Sequence, residues 1–138
     1  MTEVLTYIDA NVLIAAFHAD NAISAAAMAV LRAPARRLLV GDALWLETVP
    51  KARFHRRDAE VAFYEGVFAL AHEHISWSPA IIERARELAS RYGLAAMDAV
   101  HVASALVGGA DELVTGERWD KPMLRVRELS VQSIRLRG

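Results

Sequence analysis

A lone carboxylate interrupts the first apolar stretch of this chain. Val4, Leu5, Thr6, Tyr7 and Ile8 form the β-branched and aromatic run of a buried strand, Val12, Leu13 and Ile14 continue as the apolar side of a helix, and Asp9 stands at the junction. An ionised acid withdrawn from water costs several kcal/mol unless it is paired or bound to a cation, and no Lys or Arg precedes Arg32. The fold is therefore constrained at its first turn. Asp9 has to lie where the strand stops, at an edge that admits a partner, and in an open α/β sheet ligands bind at the carboxyl ends of the strands.

The rest of the chain repeats this alternation. Helical spacing is expected over residues 22–31, ending near Pro34, then a short strand over 38–40 and a helix containing Glu47, with Asp42 as its N-cap and Pro50 bending or restarting it. Asn11 is read as the cap of the first helix. Residues 59–71 carry a helical stripe at Val61, Tyr64, Phe68 and Ala71, and residues 75–77 a third strand. Ser78 followed by Pro79 opens a helix that Gly93 ends, and the almost wholly apolar segment 95–107 marks a central buried helix stopped by Gly108 and Gly109. Strands over 113–115 and 131–136 complete the pattern. Alternating strands and helices in 138 residues predict a single α/β domain, a three-layer α/β/α sandwich with a mainly parallel central sheet.

Composition narrows the chemistry. A hydrophobic fraction of 54% with 24% charged residues suits a compact soluble protein; no apolar run approaches the roughly 20 residues of a membrane span, and the N-terminus lacks the basic start of a signal peptide, so the cytoplasm is expected and a membrane is not. Cysteine is absent, which leaves oxygen or imidazole as the only metal ligands. Net charge is only −1, yet 14 of the 16 basic residues are Arg. They gather in two clusters, Arg32, Arg36, Arg37, Lys51, Arg53, Arg56 and Arg57, and then Arg118, Lys121, Arg125, Arg127, Arg135 and Arg137. Planar guanidinium forks suit phosphate, so either cluster is a candidate rim for a nucleic-acid backbone, beside the plainer reading of solvated helix faces.

Two further acids share the anomaly of Asp9: Glu47 among Leu44, Trp45, Leu46 and Val49, and Asp98 among Ala96, Met97, Ala99 and Val100. A strand running through Leu113, Val114 and Thr115 into Gly116, Glu117 and Asp120 has the same geometry as the Asp9 segment. If these strands are near neighbours, four acids converge. Two carboxylates about 5 Å apart repel by roughly 3 kcal/mol at an effective dielectric of about 20, which a divalent cation relieves. All-oxygen ligands select Mg²⁺ or Mn²⁺ over Zn²⁺. His101, one turn after Asp98, reads as a hydrogen-bonded core residue, and His72 and His74 as surface residues. Trp45, Phe54 and Phe63 are read as core, with an exposed interface as the alternative.

The segments Tyr7 to Ile14, Glu47, Gly93 to Ala103 and Leu113 to Glu117 together resemble the PIN domain family, which includes the VapC-type toxins of bacterial toxin–antitoxin pairs. That resemblance implies a PIN-like fold and a metal-dependent endoribonuclease, with Asp9, Glu47 and Asp98 as acidic ligands of Mg²⁺ or Mn²⁺ and Asn11 and Thr115 as polar supports. It further implies RNA as substrate, a small antitoxin protein as partner and a homodimer. One departure is visible: the family usually places Asp two positions after the threonine, where this chain has Glu117, with Asp120 as a possible substitute. A non-catalytic PIN-fold module binding RNA or protein is the alternative that this departure leaves open. A phosphoacceptor or phosphatase domain is disfavoured, because the phosphatase pattern needs a second Asp where Asn11 stands.

Overall fold

The computed structural model describes residues 3–18 and 21–135, so Leu136 and Arg137 of the expected last strand and basic cluster lie outside the described residues. Five strands form one sheet: β1 (Val4–Ile8), β2 (Arg36–Gly41), β3 (Glu73–Ile75), β4 (Glu112–Thr115) and β5 (Ser130–Ser133). Their order is β3-β2-β1-β4-β5, and every pairing is parallel. The chain leaves β1 towards β2 on one side and later returns to its other side as β4. That reversal opens a crevice beyond the carboxyl ends of β1 and β4, the position where open α/β sheets bind ligands.

Period-two alternation in the strands sends side chains to two cores, making three layers. Tyr7, Leu39 and Leu113 point to one face, where they pack with Ile81, Leu88 and Val102 from α5 (Pro79–Tyr92) and α6 (Ala96–Val107). Their neighbours Ile8, Val40 and Val114 point to the other, against α1 (Ala10–Phe17), α2 (Ala22–Arg32), α3 (Asp42–Phe54) and α4 (Asp58–Leu70). Strands buried on both faces are what a parallel sheet covered by helices demands. Among the described residues no single helix is long and apolar enough to cross a membrane.

Several sequence expectations are corrected here. Asp9 itself, not Asn11, caps α1, accepting the Val12 N–H at 3.2 Å. Gly41 caps α3, and Asp42 instead bonds the Trp77 N–H at 2.7 Å and His74 Nε2 at 2.6 Å, contacts that hold its carboxyl below the usual range. Those bonds fasten the chain beyond β3, which begins at Glu73, two residues before the expected strand. Its first two side chains are exposed, so an edge strand of this kind carries no two-faced apolar signal. Pro50 lies inside α3 and does not restart it, since the helix runs unbroken to Phe54. Phe54 is 81% exposed and not core, whereas Trp45 and Phe63 are partly buried against the second core.

One acid was not foreseen. Glu112 is buried in β4 and accepts bonds from Thr6 Oγ1 at 2.6 Å, Arg36 Nε at 2.8 Å and Gln132 Nε2 at 2.9 Å, linking β1, β2, β4 and β5. Replacing Arg36 with Ala strands this carboxylate and is expected to destabilise the fold by about 2–3 kcal/mol, read from the urea midpoint. Glu112→Gln in the same background should recover part of the loss.

Candidate metal centre

Register places the first two elements of the site side by side. Ile8 pairs with Val114, so the next residues, Asp9 and Thr115, end adjacent strands together. Asp9 is only 3% exposed. Its Oδ1 accepts the N–H groups of Val12 and Gly116, each at 3.2 Å, and its Oδ2 accepts the Thr115 hydroxyl. Thr115 Oγ1 in turn accepts the Glu117 N–H at 3.0 Å. Burial pushes the pKa of Asp9 up, most strongly opposed by the Thr115 bond. Three neutral donors orient this carboxylate, but among the described residues no Lys or Arg forms an ion pair with it, in contrast to Glu112 and its guanidinium.

The other acids arrive from three elements. Asp98 lies in the first turn of α6, half-buried, and its pKa is pushed up by burial first, then by the charges of Glu117 and Asp9, with Glu47 adding to them and His101 opposing. Four carboxylates thus share one electrostatic neighbourhood. Glu47 comes from α3 with its side chain 33% exposed and bonded to His101. Glu117 follows β4 and receives the Asn11 amide at 3.5 Å, the outer limit of a hydrogen bond. Asp120 is placed differently: Arg118 binds it at 2.8 and 3.2 Å and holds its carboxyl below the usual range. Glu117 is therefore the acid of this loop that bears on Asp98.

The donor set can be tested against the ion that the acids call for. Among the described residues no three acids or histidines are placed to close round a metal by themselves, and the acids are joined by their charges on Asp98 and not by a finished cage. That arrangement fits Mg²⁺ or Mn²⁺, hard ions that keep several waters and take few carboxylates from the protein. It does not fit Zn²⁺, since both nitrogens of His101 are already bonded within the protein.

A groove of about 610 Å³ opens beside Asn11 and Glu117, walled by Arg118, Lys121 and Arg135. Its basic side comes from the C-terminal cluster. In the second-quarter cluster Arg36 pairs with Glu112, Arg37 with Glu3, Arg53 with Glu65 and Arg57 with Glu60, and on the groove itself Arg118 pairs with Asp120 and Arg135 donates to the Gly116 carbonyl. What sequence reasoning missed was the bond between His101 and Glu47. The available signal was the polar stripe of Asp98, His101 and Ser104 at three-residue intervals on an otherwise apolar helix.

Comparison with known proteins agrees with this fold. Among solved structures, a toxin–antitoxin complex from Klebsiella pneumoniae shares 23% identity and a TM-score of 0.63, covering 83% of this chain and 90% of that one. VapBC2 from Rickettsia felis, bound to a DNA fragment from its promoter, is similar over 94% of this chain and 98% of its own, with 12% identity and a TM-score of 0.68. DNA-bound VapBC from Salmonella typhimurium covers 97% and 99%, at 13% identity and a TM-score of 0.67. No curated protein matches the sequence significantly. The profile of the PIN domain matches residues 6–122, a span that holds Asp9, Glu47, Asp98 and Glu117 alike, and the chain belongs to the PIN domain family.

Proposed function

We propose that the protein is an Mg²⁺- or Mn²⁺-dependent endoribonuclease, the toxin of a type II toxin–antitoxin pair. The observation that carries this reading is the convergence on Asp98 of the charges of Asp9, Glu47 and Glu117. Asp9, Glu47, Asp98 and Glu117 would hold the cation, with Thr115 and Asn11 orienting two of them. Bound there, a divalent ion activates water and stabilises the charge that develops on a phosphodiester. The chain's own part is to fix the acids in advance. Thr115 and the N–H groups of Val12 and Gly116 hold Asp9 in one orientation, and the half-buried position of Asp98 limits solvent on that side. Arg118, Lys121 and Arg135 would receive the RNA backbone along the groove beside Glu117.

The test is cleavage of a mixed RNA pool with Mn²⁺, with EDTA, and by Asp98→Asn. Cleavage that survives EDTA, or a variant as active as the parent, refutes the reading. RNA affinity gives a separate prediction. In the Asp98→Asn background, Arg118→Ala with Lys121→Ala should weaken binding of single-stranded RNA and flatten the slope of log affinity against log salt by about 1, measured by fluorescence anisotropy. An unchanged slope places the RNA elsewhere.

The toxin reading adds a small antitoxin, a homodimer and the cytoplasm as the compartment. It draws on the likeness to toxin–antitoxin structures and on exposed apolar side chains of α3, Leu46 and Phe54, which a partner surface would cover. A short antitoxin reading frame adjoining this one, whose product suppresses the cleavage, is the expected genetic result.

A further inference from the structure

The polar stripe of α6 continues past Asp98. His101 follows one turn later and Ser104 one turn after that, both buried. The Nδ1 of His101 lies 2.8 Å from the Tyr7 hydroxyl, and its Nε2 contacts Oε1 of Glu47. The position of the ring proton follows from these partners. An ionised carboxylate oxygen only accepts, so Nε2 carries the hydrogen. Nδ1 then faces the Tyr7 hydroxyl, which serves as its hydrogen-bond partner on the side away from Glu47. The result is one chain of contacts, from Tyr7 through His101 to Glu47.

The fold makes room for this chain. Gly41 caps the helix that carries Glu47, and a Cβ there would come within 3.2 Å of the Tyr7 hydroxyl. Glu47 needs an anchor because its side chain is a third exposed and has three torsions, so unrestrained it would sample many rotamers. A bond from a buried ring to Oε1 removes that freedom before any cation arrives.

We propose that His101 is a positioning residue: backed by Tyr7, it holds Oε1 of Glu47 and leaves Oε2 as the oxygen offered to the metal. This rests on the metal-dependent reading above, and it assigns to this histidine a supporting role and not a ligating one. Partners that bond a ligating carboxylate commonly change metal affinity by about 10- to 100-fold when removed.

The experiment measures Mn²⁺ affinity of the full chain from the electron paramagnetic resonance signal of the free ion. His101→Leu should weaken binding about tenfold. His101→Gln should restore most of it, because the Gln amide offers a donor close to where Nε2 stood. In parallel, ¹⁵N NMR of the histidine rings should show His101 protonated on Nε2. Equal affinity of His101→Leu and the parent, failure of Gln to outperform Leu, or an unprotonated Nε2 overturns the proposal. If His101→Leu does not fold, Tyr7→Phe carries the test with an expected loss of a few-fold, and unchanged affinity there overturns it too. A parent chain that binds no Mn²⁺ defeats the metal-dependent reading itself, whereas a parent that binds and cleaves while His101→Leu matches it defeats this inference alone.

Discussion

Asp9→Asn is expected to make the metal-free protein more stable and the enzyme nearly inactive. The two effects have one cause. Asp9 is buried with three hydrogen-bond donors and, among the described residues, no ion-pair partner, so its ionised form bears an uncompensated cost of burial that a cation would relieve. Asparagine keeps an oxygen for the Val12 and Gly116 N–H groups, and its amide nitrogen can donate to a rotated Thr115 hydroxyl. Relief of the buried charge should add about 1 kcal/mol in EDTA, while loss of a fixed carboxylate from a preorganised site should lower RNA cleavage by on the order of 10³-fold. The pH dependence has a definite sign. Burial raises the folded-state pKa of Asp9 above its unfolded value near 3.8, so the folded state holds the extra proton between those values. Stability from this group is therefore lost as pH rises through that window. The stability gain of Asp9→Asn over the parent should be small in acid and largest at neutral pH in EDTA, and Mn²⁺ should shrink it by stabilising the parent alone. Equal melting temperatures at both pH values would show that Asp9 is not strained by its burial.

Gly116→Ala should damage fold and site together. The added Cβ would fall 2.4 Å from the Asn11 Cβ and 3.0 Å from the Asn11 carbonyl carbon, and the second of these is backbone that cannot rotate away. The end of β4 has to move from the start of α1, separating the Gly116 N–H from Asp9 and carrying Glu117 with it. A loss of about 2 kcal/mol is expected from overpacking, or roughly 6 °C in melting temperature. Cleavage should fall further than the stability loss alone explains. Gly66→Ala is the matched contrast. That glycine lies within α4 with no atom near a new Cβ, and alanine there should stabilise by about 0.5–1 kcal/mol, leaving activity unchanged. Both are read by thermal melts beside a cleavage assay.

The sequence exposed those parts of the molecule whose physics is local. Asp9 was conspicuous because its own segment offers no cation, and the two-faced strands and the apolar helix of Asp98 announced a covered parallel sheet. Caps were less legible: Asn11 and Asp42 have the right chemistry for capping, but Asp9 and Gly41 take those positions because β1 and β2 run directly into their helices. Glu112 and the ion pairs of the second-quarter arginines depend on strand order, which no single segment encodes. The same holds for His101 and Glu47, 54 residues apart in the chain. A buried acid was readable from its neighbours in sequence; whether it was already satisfied was a property of its neighbours in space.

The pairing of β1 with β4 also sets when this protein becomes capable of anything. Asp9 and Thr115 are separated by 106 residues, and nothing shorter than that span can bring them together. On a ribosome, the first acid emerges long before the strand that orients it, so the nascent chain cannot assemble the acids of the site until β4 has been synthesised. For a protein that would cut RNA, the topology of the sheet would act as a delay between making the first acid and completing the site.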